Sequence, residues 1–514
     1  MHKLIAFTFA LVLGTSSAAY ADDAADTKAR IDALQAQLDA IKAQLEALKA
    51  QQQAKPQASA APAAAPAPAV GLKKGDAVTF LIGGEEVTLY GNLDLSVDTT
   101  TKGLAKHYVE SGDSPVGNVG YLTGLSTNLS YVGVRGTHKL GNRSGLAYQL
   151  ETQIDVSSTS GTVNTNSNSD SIVKGGLTSR NSFIGITNPF GSLKLGKTDA
   201  PYKTSTARMN PFNSEIGDYA VVMGNTGGDN RVEFGTRLDH SIWYESPNLH
   251  GFNLNLLVSP GQNRASDSSN IAAGESSCAG GNVPGSGATP PFCNDGAWAS
   301  VYSGSATWQT GKAYLVAAYE MHKKVNRTSD LANLDPNDVG DEQAWKGGLQ
   351  FAPSKATTFS MLYENMARYV PQYLQYQNER TRDGFWLALT QYVNANDNLN
   401  FGWARANPTP GDPGQHNTSG GMHPDNMANM YTFAFKHPID KHTLWYFDWA
   451  LTVNHHDAHY DLGAGGRGLT TDCHDATQLT AFDPTVTPPV SGTGPHCYAG
   501  GHLQGFSSGV DIRF

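Results

Sequence analysis

Residues 87–98 of the 514-residue chain read VTLYGNLDLSVD, and their polarity alternates almost without interruption. Apolar side chains and Gly91 occupy one phase, whereas Thr88, Tyr90 and Asp94 belong to the polar phase. A period of two residues predicts a β-strand with one apolar and one polar face. A soluble sheet turns its apolar face inward and a membrane-spanning barrel turns it outward, so other parts of the sequence must decide the direction.

Residues 1–21 have the features of a cleaved secretory signal. His2 and Lys3 give a basic start, an apolar run follows, and Ala19 and Ala21 supply small residues for cleavage. The apolar run is shorter than the roughly 20 residues that a spanning helix needs, which argues against a membrane anchor. We therefore expect this segment to be removed during export.

Export places the four cysteines, Cys278, Cys293, Cys473 and Cys497, in an oxidising compartment. They lie in two pairs that are close in sequence, which favours two local disulfides. Three pairings are nevertheless possible, and the sequence does not choose between them.

Residues 22–53 predict a short coiled-coil helix, because apolar residues recur alternately three and four positions apart. These residues are Ile31, Leu34, Leu38, Ile41, Leu45 and Leu48. The alternative is an amphipathic helix packed on its own chain, but no globular segment lies nearby in the sequence. The Ala/Pro-rich residues 54–75 predict an extended linker.

Residues 76–514 contain sixteen alternating segments, which predict strands. The connections between them alternate between short turns, such as 187–191 and 353–355, and long polar loops. A sandwich has no reason to follow this rhythm, whereas a membrane barrel has tight periplasmic turns and long external loops. The sequence thus predicts an all-β, 16-stranded antiparallel transmembrane β-barrel, and residues 78–88, VTFLIGGEEVT, are compatible with an extra hairpin before it.

Composition excludes several other classes of protein. The formal net charge of −10 argues against a nucleic-acid partner, and a mean hydropathy of −0.37 argues against a helical membrane protein.

Residues 463–468 match GxGxxG without the strand and helix of a dinucleotide site, and residues 505–509 match GxSxG with too few residues following. We therefore expect no catalytic residues and no cofactor.

The histidines are concentrated toward the C-terminus, and His456 and His459 flank Asp457 in a long polar loop. Such a group could hold a metal ion, but a hydrated surface loop is the simpler interpretation. We predict no metal site.

Several ordered blocks resemble the general Gram-negative trimeric porins. They include residues 87–98, SYVGVRGTHKLGNRSGLAYQLE at 130–151, SRNSFIGITNPFGSLKLGKTDAP at 179–201 and the terminal SSGVDIRF at 507–514. The resemblance covers residues 78–514. It implies a homotrimer in outer-membrane lipid that forms a water-filled channel for passive diffusion of ions and small hydrophilic solutes. The coiled coil would then lie in the periplasm.

The resemblance also implies a constriction. The third loop, at residues 198–233, would fold into the barrel and place acidic residues opposite basic residues of the wall. The loop candidates are Arg208, Glu215 and Asp218, and the wall candidates are Arg180, Arg237, Arg135 and Lys194.

The alternation of polar and apolar residues also indicates which way some of these candidate side chains point. Arg180 shares the phase of Ser182, opposite Phe183, which would point Arg180 into the lumen. Arg237 shares the phase of Ser241. We expect Tyr90, Asp94 and Tyr131 to face the lumen too, and Tyr131 stands where some family members carry Arg.

Two alternatives to a general porin stay open. One is a substrate-selective channel, in which long loops form a binding site. The other is a structural tether, in which the coiled coil and linker reach toward peptidoglycan while the barrel anchors the chain.

The tether hypothesis predicts that deleting residues 22–70 lowers trimer stability and the fraction of protein that sediments with peptidoglycan. Thermal dissociation of the oligomer and co-sedimentation measure the two effects. Unchanged values for both would remove the hypothesis.

Overall fold

The computed structural model describes most of the alternating region and little of what precedes it. The described residues are 39, 43, 71–73, 78–82, 85–101, 121–128, 130–141, 143–154, 156, 180–223, 234–235, 237–260, 300–326, 339–369, 372, 381–410, 425–455, 458, 460, 462 and 502–514. The signal sequence, the four cysteines, His456, Asp457 and His459 lie outside this set.

The chain divides into two units, Met1–Ala67 and Pro68–Phe514. In the first unit, the described residues of the predicted coiled coil are Asp39 and Ala43, which are both helical. The linker predicted at 54–75 is described only at 71–73, and these three residues form a short strand.

Nineteen strands form one antiparallel sheet in the described part of the second unit. They are β1 (Gly71–Lys73), β2 (Val78–Ile82), β3 (Glu85–Thr101), β4 (Tyr121–Thr127), β5 (Tyr131–Lys139), β6 (Gly145–Gln153), β7 (Ser182–Asn188), β8 (Gly191–Asp199), β9 (Arg237–Glu245), β10 (Phe252–Pro260), β11 (Ser300–Thr310), β12 (Ala313–Asn326), β13 (Val339–Phe351), β14 (Thr357–Arg368), β15 (Arg382–Tyr392), β16 (Asn398–Ala406), β17 (Ala428–Pro438), β18 (Thr443–Asn454) and β19 (His502–Arg513).

Strands β3 and β5–β19 close the predicted 16-stranded antiparallel barrel. β3 pairs with β5, each later strand pairs with the next, and β19 returns to β3. The short turns predicted from the sequence join strands within the described residues, as at 189–190 between β7 and β8 and at 352–356 between β13 and β14. The closed barrel is confirmed.

The three remaining strands extend the barrel wall around β3. The first half of β3 pairs with β5 and its second half with β4, so that β4 continues the line of β5. On the other side, Phe514 exchanges two backbone hydrogen bonds with Gly91, and β2 then pairs with Glu85–Leu89. β1 pairs with β2. The hairpin suspected at residues 78–88 is therefore present.

The polar phase of the strands is buried and the apolar phase is exposed. In β3, Asp94 and Asp98 are buried, whereas Val97 is 52% exposed. The same inversion holds in β18, where Tyr446 and Asp448 are buried. An inward polar face and an outward apolar face are typical of a membrane barrel, which decides the direction of residues 87–98.

Two local departures break the phase that the sequence suggested. In β7 the exposed residues are Ile184 and Ile186, so Phe183 faces inward, where its ring lies 5.4 Å from that of Trp243. The sequence placed Phe183 on the face that points away from the lumen. That expectation was wrong, because the alternation of β7 does not extend back from Phe183 to Ser182.

In β9 a register shift opposite Gly196 and a positive φ of 51° at His240 interrupt the alternation. Leu238 and Ser241 are therefore both buried. The phase of Ser241 does not carry back to Arg237.

The segment from β8 to β9 contains two four-residue helices, α1 (Pro201–Thr204) and α2 (Ala220–Met223), and a 3₁₀ turn at Ala207–Met209. Pro201 is suited to the first turn of α1 because its fixed φ is helical and its missing N–H would be unpaired there. In the described part of the chain, no helix is both long and apolar enough to cross a membrane.

The outward apolar face predicts a strong asymmetry between charge insertions. Leu387, in the middle of β15, is 46% exposed on this face, and Leu387→Arg should lower the unfolding free energy by about 2–4 kcal/mol in lipid vesicles. The control is Thr137→Arg on the inward face, which should cost under about 1 kcal/mol. Equal losses in urea titrations would contradict the assignment of the faces.

Candidate functional site

The described segment 200–223 between β8 and β9 contacts strands far around the barrel. The indole Nε1 of Trp386 in β15 donates a hydrogen bond to the Met209 carbonyl at 3.0 Å. The Tyr314 hydroxyl of β12 donates to the Ser205 carbonyl at 2.7 Å. Side chains on inward faces of the wall thus supply hydrogen-bond donors to backbone carbonyls of this segment, which need partners when they are removed from water.

Apolar packing reinforces these contacts. The rings of Phe212 and Tyr219 lie 6.0 Å and 5.1 Å from that of Trp386. Gly217 has a φ of +84°, and a β-carbon there would lie 2.5 Å from the Thr432 side chain of β17. A glycine is needed at this position because the backbone conformation and the close approach both disfavour a side chain.

Glu215 forms a buried ion pair with Lys436 of β17. The Lys436 ammonium donates to both carboxylate oxygens of Glu215, at 2.7 Å and 2.8 Å, and to the Pro211 carbonyl at 2.6 Å. Burial raises the pKa of the Glu215 carboxyl, and the nearby Lys436 charge opposes this shift. Glu215 is therefore engaged with a cation of the wall and withdrawn from solvent.

Asp218 is also buried, but it stabilises its own segment. Its carboxylate accepts hydrogen bonds from Asn210 Nδ2 at 2.8 Å, from the Ala220 backbone N–H at 3.0 Å and from the Ser214 backbone N–H at 3.3 Å. Burial raises the pKa of the Asp218 carboxyl, and these hydrogen bonds act against the shift. Neither predicted loop acid presents an open carboxylate to solvent.

Among the wall candidates, Arg180, which precedes β7, forms an ion pair with Glu151 of β6. The Arg180 Nε donates to Glu151 Oε1 at 2.6 Å, and the guanidinium carbon lies 4.7 Å from the Tyr131 ring centroid. The Tyr90 hydroxyl donates to the second oxygen of Glu151 at 3.0 Å. The sequence did not predict that Glu151 bonds to two of the candidate residues, Tyr90 and Arg180.

Arg237 and Lys194 are likewise paired with carboxylates. Arg237 lies 3.3 Å from Asp199 and donates to Asn181 Oδ1 at 2.9 Å. Lys194 donates to Glu245 at 2.6 Å. The charges of both wall candidates are therefore compensated by local acids.

Arg135 and Arg208 differ from these residues, because among the described residues neither contacts a carboxylate. Arg135 is exposed, with its guanidinium carbon 4.8 Å from the Tyr90 ring centroid. Arg208 is exposed too and donates to two amide oxygens, those of Gln309 at 2.5 Å and Gln350 at 3.0 Å. Within the part of the chain that the structure describes, each arginine thus presents its guanidinium to solvent without a carboxylate partner.

The sequence profile of the Gram-negative porin family matches residues 57–456. The chain belongs to this family. It is 28% identical over 191 residues to the major outer membrane protein P.IB of Neisseria gonorrhoeae, covering 37% of this chain and 47% of that protein. The protein of the same name from Neisseria meningitidis serogroup A is 29% identical over 166 residues, covering 32% and 42%. The chain spans about half the length of these relatives.

Among solved structures, the porin is similar to an anion-selective porin from Comamonas acidovorans. The two are 16% identical with a TM-score of 0.56, and the match covers 84% of this chain and 100% of the other. This similarity shows a shared fold.

Asp94 of the porin lies on β3, opposite Asp511 of β19, where the first and last barrel strands pair; this junction is here called the seam. It accepts hydrogen bonds from the Tyr446 hydroxyl at 2.7 Å and from Asn128 Nδ2 at 3.3 Å, and Asn128 also contacts Tyr446 at 2.9 Å. These three side chains link β3, the break between β4 and β5, and β18. Asp94 is buried, so its contacts are structural ones across the seam.

A second charged cluster, which sequence reasoning missed, lies on β12–β14. His322 contacts Glu320 at 3.1 Å and Glu342 at 2.8 Å, and Arg368 donates to Glu342 at 2.9 Å. The Gly235 backbone N–H donates to Glu320 at 2.8 Å, which fixes the end of the connection returning to β9. Within the described residues, no group of three or more such side chains is arranged to hold a metal ion.

The Glu215–Lys436 pair predicts that Lys436→Met loosens residues 200–223. Loss of one partner leaves a buried carboxylate uncompensated, at a cost of roughly 3 kcal/mol, so amide hydrogen exchange there should accelerate by about a hundredfold. Lys194→Met is the matched control, because its partner Glu245 lies outside this segment. Equal exchange rates in both variants would contradict the anchoring role.

Proposed function

We propose that this porin is an outer-membrane channel through which ions and small hydrophilic solutes diffuse passively, and that it assembles as a homotrimer. The proposal rests on family membership, the closed 16-stranded barrel and the polar inward faces of its strands. A closed barrel of this size encloses an aqueous passage unless it is plugged. Porins are channels, and no constellation in the sequence favours catalysis.

The segment 200–223 is proposed to fold into the barrel and narrow this passage. Its hydrogen bonds to Trp386 and Tyr314 and its ion pair with Lys436 reach β15, β12 and β17. A segment held against inward-facing side chains of these strands leaves the open cross-section on its other side. That side would be bounded by β3, β5 and β6, which carry Tyr90 and Tyr131.

Anion preference is the specific form of this function that the charges support best. The two loop acids, Glu215 and Asp218, are buried and bonded, whereas Arg135 and Arg208 are exposed and, among the described residues, have no carboxylate partner. Fixed charge at a narrow passage raises the local concentration of counter-ions and favours their transport. The accessible positive charge therefore carries the proposal.

Arg180, Arg237 and Lys194 are proposed to act mainly through position. Each is paired with an acid, so each contributes less net field than an unpaired cation at the same place. Their pairs hold the wall side chains in fixed orientations around the passage.

Two further proposals rest on the sequence pattern alone. The predicted coiled coil at 22–53 would lie in the periplasm, within reach of peptidoglycan, and the four cysteines would form disulfides within the barrel's long loops.

Reversal potentials in a salt gradient test the proposed selectivity. The wild-type channel should be more permeable to chloride than to potassium. The double variant Arg135→Ala/Arg208→Ala should lower the chloride-to-potassium permeability ratio by about twofold or more. Arg143→Ala is the control. Arg143 is exposed on the turn between β5 and β6, so this substitution removes a positive charge that lies away from the passage. A cation-selective wild-type channel would contradict anion preference.

A further inference from the structure

Three arginines near the proposed passage are stacked on tyrosine rings. The guanidinium carbons of Arg135, Arg180 and Arg208 lie 4.8, 4.7 and 4.3 Å from the ring centroids of Tyr90, Tyr131 and Tyr314, respectively. A cation within about 6 Å of a ring centroid is attracted to the ring face. Two of these pairs lie on the β3–β5 part of the wall, and the third lies on β12.

Two of these pairs are continuous on one wall. The rings of Tyr90 and Tyr131 are 6.2 Å apart at an interplanar angle of 66°, an edge-to-face contact. Glu151 joins them, because it accepts a hydrogen bond from the Tyr90 hydroxyl and another from Arg180. Arg135, Tyr90, Tyr131 and Arg180 thus form one ladder, here called the arginine–tyrosine ladder.

The ladder keeps positive charge available at one end. Arg180 is neutralised by Glu151, whereas the Arg135 side chain is exposed and, in the described part of the chain, is stacked on the Tyr90 ring without a carboxylate partner. A solute carboxylate can pair with the N–H groups of Arg135, since a guanidinium has five donors in a fork that matches a carboxylate. Flat apolar surface lies directly beside that charge, in the rings of Tyr90 and Tyr131.

We propose that the arginine–tyrosine ladder binds planar organic anions, with aromatic carboxylates as the solute class. The carboxylate pairs with Arg135, and the ring of the solute stacks on the exposed surfaces of the ladder. This inference rests on the proposed channel function and goes beyond it, because charge alone does not discriminate between a flat and a puckered ring. Stacking does, since it depends on close contact between planar faces.

Block of the chloride current by two singly charged acids tests the proposal. Benzoate and cyclohexanecarboxylate both carry one carboxylate on a six-membered ring, but only benzoate is planar. In single-channel recordings of the full-length porin, the half-blocking concentration of benzoate should be lower by about threefold or more. Cyclohexanecarboxylate is the more hydrophobic of the two, so simple partitioning predicts the opposite order.

The double variant Tyr90→Leu/Tyr131→Leu tests whether the ladder is responsible. It keeps apolar bulk and leaves the Arg180–Glu151 pair in place, and the preference for benzoate should disappear. Tyr302→Leu is the matched control, because Tyr302 lies on the outward face of β11 and is 48% exposed there. Tyr302→Leu should retain the wild-type preference.

Equal half-blocking concentrations for the two acids in the wild type would overturn the proposal, whether or not the double variant folds. A benzoate preference that survives in the double variant would also overturn it, because the selectivity would then arise elsewhere. A wild-type channel that conducts chloride without discriminating between the acids leaves the channel function intact. Absence of any conductance would instead refute the channel function itself.

Discussion

The structure depends on one constraint, that no backbone N–H or C=O group can face hydrocarbon without a hydrogen-bond partner. A sheet meets this requirement only by closing on itself. Here closure is the pairing of β19 with β3, from Gly505 opposite Thr100 to Arg513 opposite Asn92. Beyond the end of β19, Phe514 bonds to Gly91 and β2 takes over the edge of β3. The seam is thus covered along the length of β3.

Closure creates an interior that must be polar without being filled with unpaired charge. The porin resolves this by distributing its charges unequally. Acids of the connecting segment are buried against Lys436 or against backbone N–H groups, whereas Arg135 and Arg208 are exposed beside amides and aromatic rings. The protein has a formal net charge of −10, yet Arg135 and Arg208 are exposed and, among the described residues, contact no carboxylate. Local placement, rather than net charge, therefore determines the field that a passing ion meets.

The sequence predicted the barrel well because a period of two residues and the rhythm of loop lengths are local signals. It failed where the backbone departs from regular alternation, at Phe183 and around His240. It could not identify Lys436 as the partner of Glu215, because the two residues are 221 positions apart and meet only through the curvature of the wall. The joining role of Glu151 was hidden for the same reason: alternation tells which face a residue is on, not which neighbours it meets.

The seam also determines when the barrel can form. A hydrogen bond between Gln504 and Thr101 joins residues 403 positions apart in sequence, and the Tyr446–Asp94 contact spans 352. Contacts of such separation form slowly, because the entropy of closing the loop must be overcome before they contribute stability. The edge of β3 that pairs with β19 therefore stays unpaired until β19, the last strand, has reached it. During that interval the chain is exposed to aggregation through its open edge, so its survival depends on the kinetics of delivery as much as on the stability of the finished barrel.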